Sequence, residues 1–365
     1  PNSMTHLVLQ VLRALRSPEV AASGVVAPED VSLPPYYPDT PTVRADVARH
    51  YNNIAVMDAE VGALLRQLEE DGLADSTIVI WTTDHGDGLP RGKRELYDSG
   101  IKVPLIIHWP ERFRPEGVAP GSVETRLVSF VDFAPTLLRL AGVQPPGYLQ
   151  GRDFVAGEPR DYIYASRDRI DEVPDRQRAV SDGRYKYIRS WQPDQPGGHA
   201  LEFRDNIDMV REMQAMYAAG ELNAVQRLWF EPPGEELLFD TEADPYEIDN
   251  LAHDSAHAGD LQRLRGAMEA WLAATVDWSD MPEQEQAERF RPGGEQPVTP
   301  APKAAVKGGL VTITATGVAS IGYRVDEGPW RLYTAPIGVP AGTILEARAV
   351  RYGWKESDSV ELRLP

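Results

Sequence analysis

The stretch Ile78-Val79-Ile80-Trp81-Thr82-Thr83-Asp84-His85-Gly86, continued by Pro90-Arg91-Gly92-Lys93-Arg94-Glu95-Leu96-Tyr97 and by Val103-Pro104-Leu105-Ile106-Ile107, decides how this chain is read. The run from Ile78 is short, apolar, β-branched and bounded by turn signals, which is the pattern of a buried strand. It ends in an acid, an imidazole and a glycine. Ligands of open α/β sheets gather beyond the carboxyl ends of the strands. A carboxylate and an imidazole placed there can hold a metal, and the glycine lets the backbone turn away without a side-chain clash. Lys93 follows, flanked by Arg91 and Arg94. A cation beside a metal suits an anionic substrate, because charge built up in a transition state needs fixed positive partners. Taken alone, Asp-His-Gly also fits a turn or a helix cap.

The longer pattern is more specific. Thr83-Asp84-His85-Gly86 followed by Pro90 through Ile107 resembles the second signature of the sulfatase family, in particular its bacterial branch related to heparan N-sulfatases. The resemblance implies an alkaline-phosphatase-like α/β fold. It makes Asp84 and His85 metal ligands, with calcium as the family's ion, and Lys93 the catalytic contact to the sulfate and the leaving-group oxygen. Calcium prefers oxygen donors, so an imidazole at position 85 is a poorer match than an amide carbonyl.

With 365 residues the chain is long enough for two or three domains. There are no cysteines, hence no disulfide, thiolate metal site or cysteine nucleophile. The net charge of −19, from 37 basic and 56 acidic residues, argues against nucleic acid and against a broad surface for a polysulfated glycan. A sulfated ligand would be held locally, by Lys93 and its neighbours. No apolar run approaches the length of a membrane span. Leu7, Val8, Val11, Leu12 and Leu15 fall at helical spacing, but Arg13 and Arg16 break the run too soon for a signal peptide. Met4 is read as the natural start, with Pro1-Asn2-Ser3 vector-derived. Members of the family are often periplasmic or secreted.

Leu33 to Pro41 is proline-rich and extended. A long helix follows, with Thr40 as N-cap, Pro41 at the first position and Gly72 at the end. Val47, Tyr51, Ile54, Val61, Leu65 and Leu68 mark its apolar face, and Asp58 lies on that face, where a buried charge must be paired. Asp132 is the expected N-cap of a helix over Phe133–Leu140. Ala179 to Ile188 reads as a hairpin turning at Asp182-Gly183. Asn206 to Arg227 reads as helical, Glu236 to Asp240 as a strand, and Leu261, Leu264, Met268, Trp271 and Leu272 as a helix packed on the sheet. His199, His253 and His257 read as surface histidines.

The expected domains are 1–145, the C-terminal part of a sulfatase α/β domain; 146–278, a subdomain with an antiparallel sheet and a helix; a proline-rich linker, 279–309; and an all-β sandwich, 310–365, where the pattern alternates with period two. The last resembles the chitobiase-type C-terminal sandwich of glycan-active enzymes. Trp330, Tyr333, Tyr352 and Trp354 fit either its core or sugar stacking.

The resemblance covers roughly Leu33 to Ala252. The family's early strand with paired aspartates, its Cys- or Ser-x-Pro-x-Arg segment that yields formylglycine, and its Asp-Pro-His-Arg loop have no counterpart in these residues. The complete family's mechanism is attack by a formylglycine hydrate oxygen on sulfur, with metal and cations on the sulfuryl oxygens. Three readings follow. The chain is part of a hydrolase of sulfate esters or N-sulfates on sugars, completed by a missing half or a partner chain. It is part of a phosphonate or phosphate ester hydrolase of the same superfamily. Or it is a non-catalytic remnant or glycan-binding protein.

Overall fold

The computed structural model describes residues 26–364, apart from 276 and 318, in two compact units, 1–276 and 277–365. The helical spacing from His6 to Leu15 lies outside the described residues.

Helix α1, Pro41–Glu70, begins as expected. The Thr40 hydroxyl accepts from the Val43 amide at 3.2 Å, and Gly72 takes a left-handed φ of 67° just past the end. Its first turns bury Val43, Val47 and Ala48 against Met209, Val210 and Met213. Asp46 is buried in that interface and accepts from the Met209 amide at 2.8 Å, capping the partner helix that lacks a cap of its own. The second half of α1 is different. Ile54, Leu64 and Leu65 are exposed, and so is Asp58, which was expected to be buried and paired. No sheet covers this half among the described residues, so the charge faces solvent.

Strand β1, Val79–Thr82, pairs with β2, Leu105–His108. The pair is antiparallel, with Val79 opposite His108 and Thr82 opposite Leu105. The intervening chain turns back through a loop and the short helix α2, Asp98–Ile101, and re-enters the ribbon in the opposite direction. Helix α3, Phe133–Leu140, follows. Asp132 at its start does more than the expected capping. It is buried and accepts from the Arg160 guanidinium, the Arg152 amide at 2.7 Å and the Ser129 amide at 2.9 Å. Burial pushes its carboxyl up, but these donors prevail and hold it below its usual value.

The chain then forms a four-stranded antiparallel sheet in sequential order: β3 Ile163–Ile170, β4 Val173–Ser181, β5 Tyr185–Ser190 and β6 Glu236–Asp240. The hairpin turns at Gly183, with φ at 100°. Between β5 and β6, the stretch read as one helix is two, α4 Asp208–Ala219 and α5 Ala224–Arg227, because Gly220 ends the first with φ at 73°. Helix α6, Ala258–Ala274, packs on one face of the sheet, where Val180, Tyr187 and Leu238 meet Leu264 and Met268. The alternate residues Ala179, Ile188 and Leu237 point the other way. There they join Phe239 and Leu96, with Tyr97 and Ile101 packed alongside. The sheet therefore has α6 on one side and the end of the Asp84–Gly100 loop on the other. His253 is exposed as expected, but His199 is half-buried, with Nδ1 2.7 Å from the Pro196 carbonyl.

The second unit begins with ordered structure in the stretch expected to be a linker. Helix α7, Glu283–Phe290, is held by aromatic contacts, Phe290 stacking on Trp278 at 5.8 Å and meeting Tyr352 edge-on at 6.2 Å. Strand β7, Lys303–Lys307, pairs with β8, Leu310–Thr314. A four-stranded antiparallel sheet is built from β9 Ser320–Val325, β10 Arg331–Leu332, β11 Ile344–Val350 and β12 Val360–Arg363, in the order β10-β9-β11-β12. Val311 and Ile313 of the pair pack with Ile321, Leu345 and Ala347 of the sheet, which makes a small sandwich. Tyr333 belongs to its core and accepts from the Ile313 amide at 3.0 Å. Trp330 and Tyr352 are exposed.

Candidate active-site loop

The loop from Asp84 to Gly100 is folded on its own backbone. Gly86 donates to the Gly100 carbonyl at 2.8 Å, and Lys93 donates to the Asp87 carbonyl at 2.5 Å, which returns the lysine to the start of the loop. Gly86, Gly92 and Gly100 are required by close approach. A Cβ on each would overlap a backbone carbonyl, of Ser99, Asp87 and Glu95 respectively. Arg91 and Arg94 take positive φ values of 62° and 77°, a conformation non-glycine residues rarely hold unless their surroundings impose it.

At Arg91 the surroundings are visible. Its side chain is buried, with the guanidinium 4.6 Å from the Tyr36 ring centroid and 4.0 Å from that of Tyr97, and it donates to the Glu247 carbonyl at 3.0 Å. Burial pushes the Tyr36 phenol up to about 12. Two buried charge clusters fix the rest of the loop. Glu95 accepts from Arg167 at 2.6 Å and from the Trp229 indole at 3.1 Å, and Arg167 also pairs with Asp175 at 2.5 Å. Burial pushes the Glu95 carboxyl up, but Arg167 outweighs it and holds the group below its usual value. Lys186, fully buried on β5, donates to Asp98 and reaches Glu247 at 2.8 Å. Burial raises Asp98 too, and Lys186 again prevails, leaving it lowered, whereas at Glu247 burial wins and the carboxyl is raised.

On this frame stand the three residues singled out by sequence. Asp84 follows β1, with its side chain 90% exposed and its carboxylate 3.6 Å from His85 Nε2. His85 Nδ1 lies 2.8 Å from the Gly86 carbonyl, which makes Nδ1 the protonated nitrogen and leaves the Nε2 lone pair free on the Asp84 side. An exposed carboxylate and an imidazole lone pair on one side fit part of a divalent-metal site. Among the described residues no group of three or more His, Asp or Glu side chains is placed to hold an ion. Lys93 joins them through the backbone fold only. Its ammonium makes no ion pair among the described residues and lies 5.7 Å from the Phe203 ring centroid.

The sequence motif marks Lys93 but not Phe203 or the partners that hold the loop. Arg91 and Glu95 sit inside the quoted motif. Arg167, Lys186 and Glu247 come from distant segments with no local signal.

The comparisons agree with this architecture. A family model described as "Sulfatase" matches residues 17–143, and one described as "N-sulphoglucosamine sulphohydrolase, C-terminal" matches residues 91–231. An ulvan-active sulfatase of Formosa agariphila is 40% identical over 343 residues, covering 91% of this chain and 57% of its own length. The human N-sulphoglucosamine sulphohydrolase is 28% identical over 285 residues, covering 73% and 55%. The solved structure of a candidate sulfatase from Bacteroides fragilis superposes with a TM-score of 0.50 at 21% identity, over 72% of this chain and 51% of that one. The chain belongs to the sulfatase family, and its first unit carries the C-terminal part of that family's alkaline-phosphatase-like α/β fold. Members of the family typically bind a divalent metal. The chain spans about half the length of the curated relatives it matches.

Proposed function

We propose that this chain forms the C-terminal portion of a hydrolase that removes sulfate from sulfate esters or N-sulfates on sugars. The observation that supports it best is the loop itself. The Lys93 amide donates to the Asp87 carbonyl, three residues past Asp84, and its ammonium has no carboxylate partner among the described residues. The relatives that match along most of the chain are sulfatases of sugars by name.

In this reading Asp84 and His85 Nε2 would be two of the ligands of a calcium ion, which when bound would offset the charge of the sulfate. Lys93 donates to the sulfate and to the oxygen or nitrogen that leaves, where its charge is worth most as negative charge builds. The loop's internal hydrogen bonds keep these groups placed without reorganisation. The nucleophile and the remaining ligands come from sequence outside these residues, on the same polypeptide or on a partner chain. The net charge of −19 supports a small sulfated substrate held locally, with no nucleic acid and no membrane surface as partner.

The test is sulfate release from N-sulfated and 6-O-sulfated glucosamine by the protein as isolated, with any chain that co-purifies, compared with Lys93→Ala. Turnover that falls about 100-fold or more in the variant supports the reading. Turnover of phosphonate monoesters with none of the sulfates moves the assignment to that reaction. Absence of both, with no metal retained, makes the site inherited scaffold.

A further inference from the structure

The structure points to a role for an aromatic residue that no motif marks. We propose that Phe203 is the platform on which the sugar ring of the substrate stacks while its sulfate is held by Lys93. The inference rests on the reading of Lys93 given above.

Phe203 does not lack a core to enter. Leu201, two residues before it, is almost fully buried, and Arg204, directly after it, is buried as well. Arg204 donates to the carbonyls of Gly197 at 2.7 Å and His199 at 3.0 Å, and lies 4.9 Å from the Trp229 ring. These anchors fix the backbone and turn the intervening ring outward. Phe203 stays 55% exposed, next to Lys93, whose ammonium has no ion-pair partner among the described residues.

The arrangement around the ring favours a particular ligand. Lys93 Nζ lies 5.7 Å from the ring centroid, and the Arg94 guanidinium 5.0 Å. Arg94 is tied to Asp171 at 2.8 Å, so its charge is already matched. The Lys93 ammonium is free to donate to an anion. Both cations lie over the ring, and a charge-assisted hydrogen bond of about 2.8 Å from Nζ holds a sulfate within reach of it. A hexose carrying that sulfate would then lie against the part of the ring the cations leave exposed, where its apolar C–H surface meets the aromatic π cloud. An inorganic anion would use the lysine and leave the ring uncovered. The pair thus selects for sulfate attached to a ring.

The experiment is a calorimetric titration of the whole chain with inorganic sulfate, with glucosamine, and with N-sulfated glucosamine, for the unmodified protein, Phe203→Ala, Phe203→Trp and Lys93→Ala. Melting temperatures control for folding. The expected result is that Phe203→Ala weakens the sulfated sugar about tenfold and leaves inorganic sulfate within about twofold, that Phe203→Trp retains sugar affinity, and that Lys93→Ala weakens both. Sulfated-sugar affinity unchanged in Phe203→Ala overturns the role of Phe203 while leaving the Lys93 site intact. An equal loss for sugar and sulfate, or a fall in melting temperature with no change in the affinity ratio, makes Phe203 a packing residue and overturns the inference as well. Failure of the unmodified chain to bind either sulfate or sulfated sugar overturns the reading of Lys93 itself.

Discussion

The α-carbon of Gly86 faces the carbonyl oxygen of Ser99 so closely that any Cβ at position 86 would overlap it. The residue that ends the acid-imidazole-glycine run is therefore the point where the loop closes on itself, through its amide to Gly100. Gly86→Ala should force the two backbone segments apart. The expected cost is about 2–4 kcal/mol of stability, seen as a lower urea midpoint, with loss of any calcium-dependent stabilisation. A midpoint equal to that of the unmodified chain would show that the close approach is not needed.

Asp84 makes the opposite case. Its exposed carboxylate supports nothing but the neighbouring imidazole, so Asp84→Ala should change stability in chelator by no more than about 0.5 kcal/mol. Calcium should raise the melting temperature of the unmodified chain and leave the variant unmoved, since only a ligand that binds the folded state stabilises it. Equal melting of the two proteins in calcium and in chelator would remove Asp84 from the metal site.

Arg91 fills the space between Tyr36 and Tyr97 with a flat cation. A lysine cannot stack in that way or reach the Glu247 carbonyl with the same geometry. Arg91→Lys should destabilise the chain by about 2–3 kcal/mol, close to the effect of Arg91→Ala. Thermal melting of the two variants side by side checks this. A lysine variant with unmodified stability would mean that charge alone matters there.

Acid should unfold the loop's support. Glu95, Asp98 and Asp132 have carboxyls held below their usual values, so their stabilisation is present above those values and is lost as the pH falls through the lowered ones. For Glu95 the loss begins below pH 4.5, and for Asp98 below 3.8. Asp175 and Glu247, raised by burial, act with opposite sign, and their protonated forms favour the fold as pH falls. Urea midpoints taken from pH 7 to pH 3 should fall. Glu95→Gln should lower the neutral-pH stability by about 3–5 kcal/mol by leaving Arg167 with a weaker partner, and should flatten the acid limb. An acid limb unchanged by the substitution would place the titrating group elsewhere.

Much of the local structure was legible in the sequence because local chemistry decides it. Thr40-Pro41 and Gly72 bound α1, and Asp182-Gly183 turns the hairpin. Asp84, His85 and Lys93 were singled out by motif and spacing, and the structure sets the first two side by side. What could not be read depends on partners distant in the chain. Nothing near Asp58 signals that its helix face is uncovered, and nothing near Asp98 signals that a buried lysine at 186 awaits it. The helix at Glu283–Phe290 escaped because its composition is that of a solvated linker and its order comes from Trp278 and Tyr352. Phe203 has no motif, and only the burial of Leu201 and Arg204 on either side shows which way it must point.

Among the described residues β1 and β2 pair only with each other, and Ile106 of β2 is exposed. A lone two-stranded ribbon is marginally stable, so a further strand at its edge or an ion bound through Asp84 would each stabilise it. Any ion bound through Asp84 must first order that ribbon, and any strand added to its edge would have done so already. Ion capture and sheet completion are then thermodynamically linked: each lowers the free-energy cost of the other by the same amount. On the reading proposed above, the affinity of Asp84 and His85 for a divalent cation would report how much of the sheet is in place.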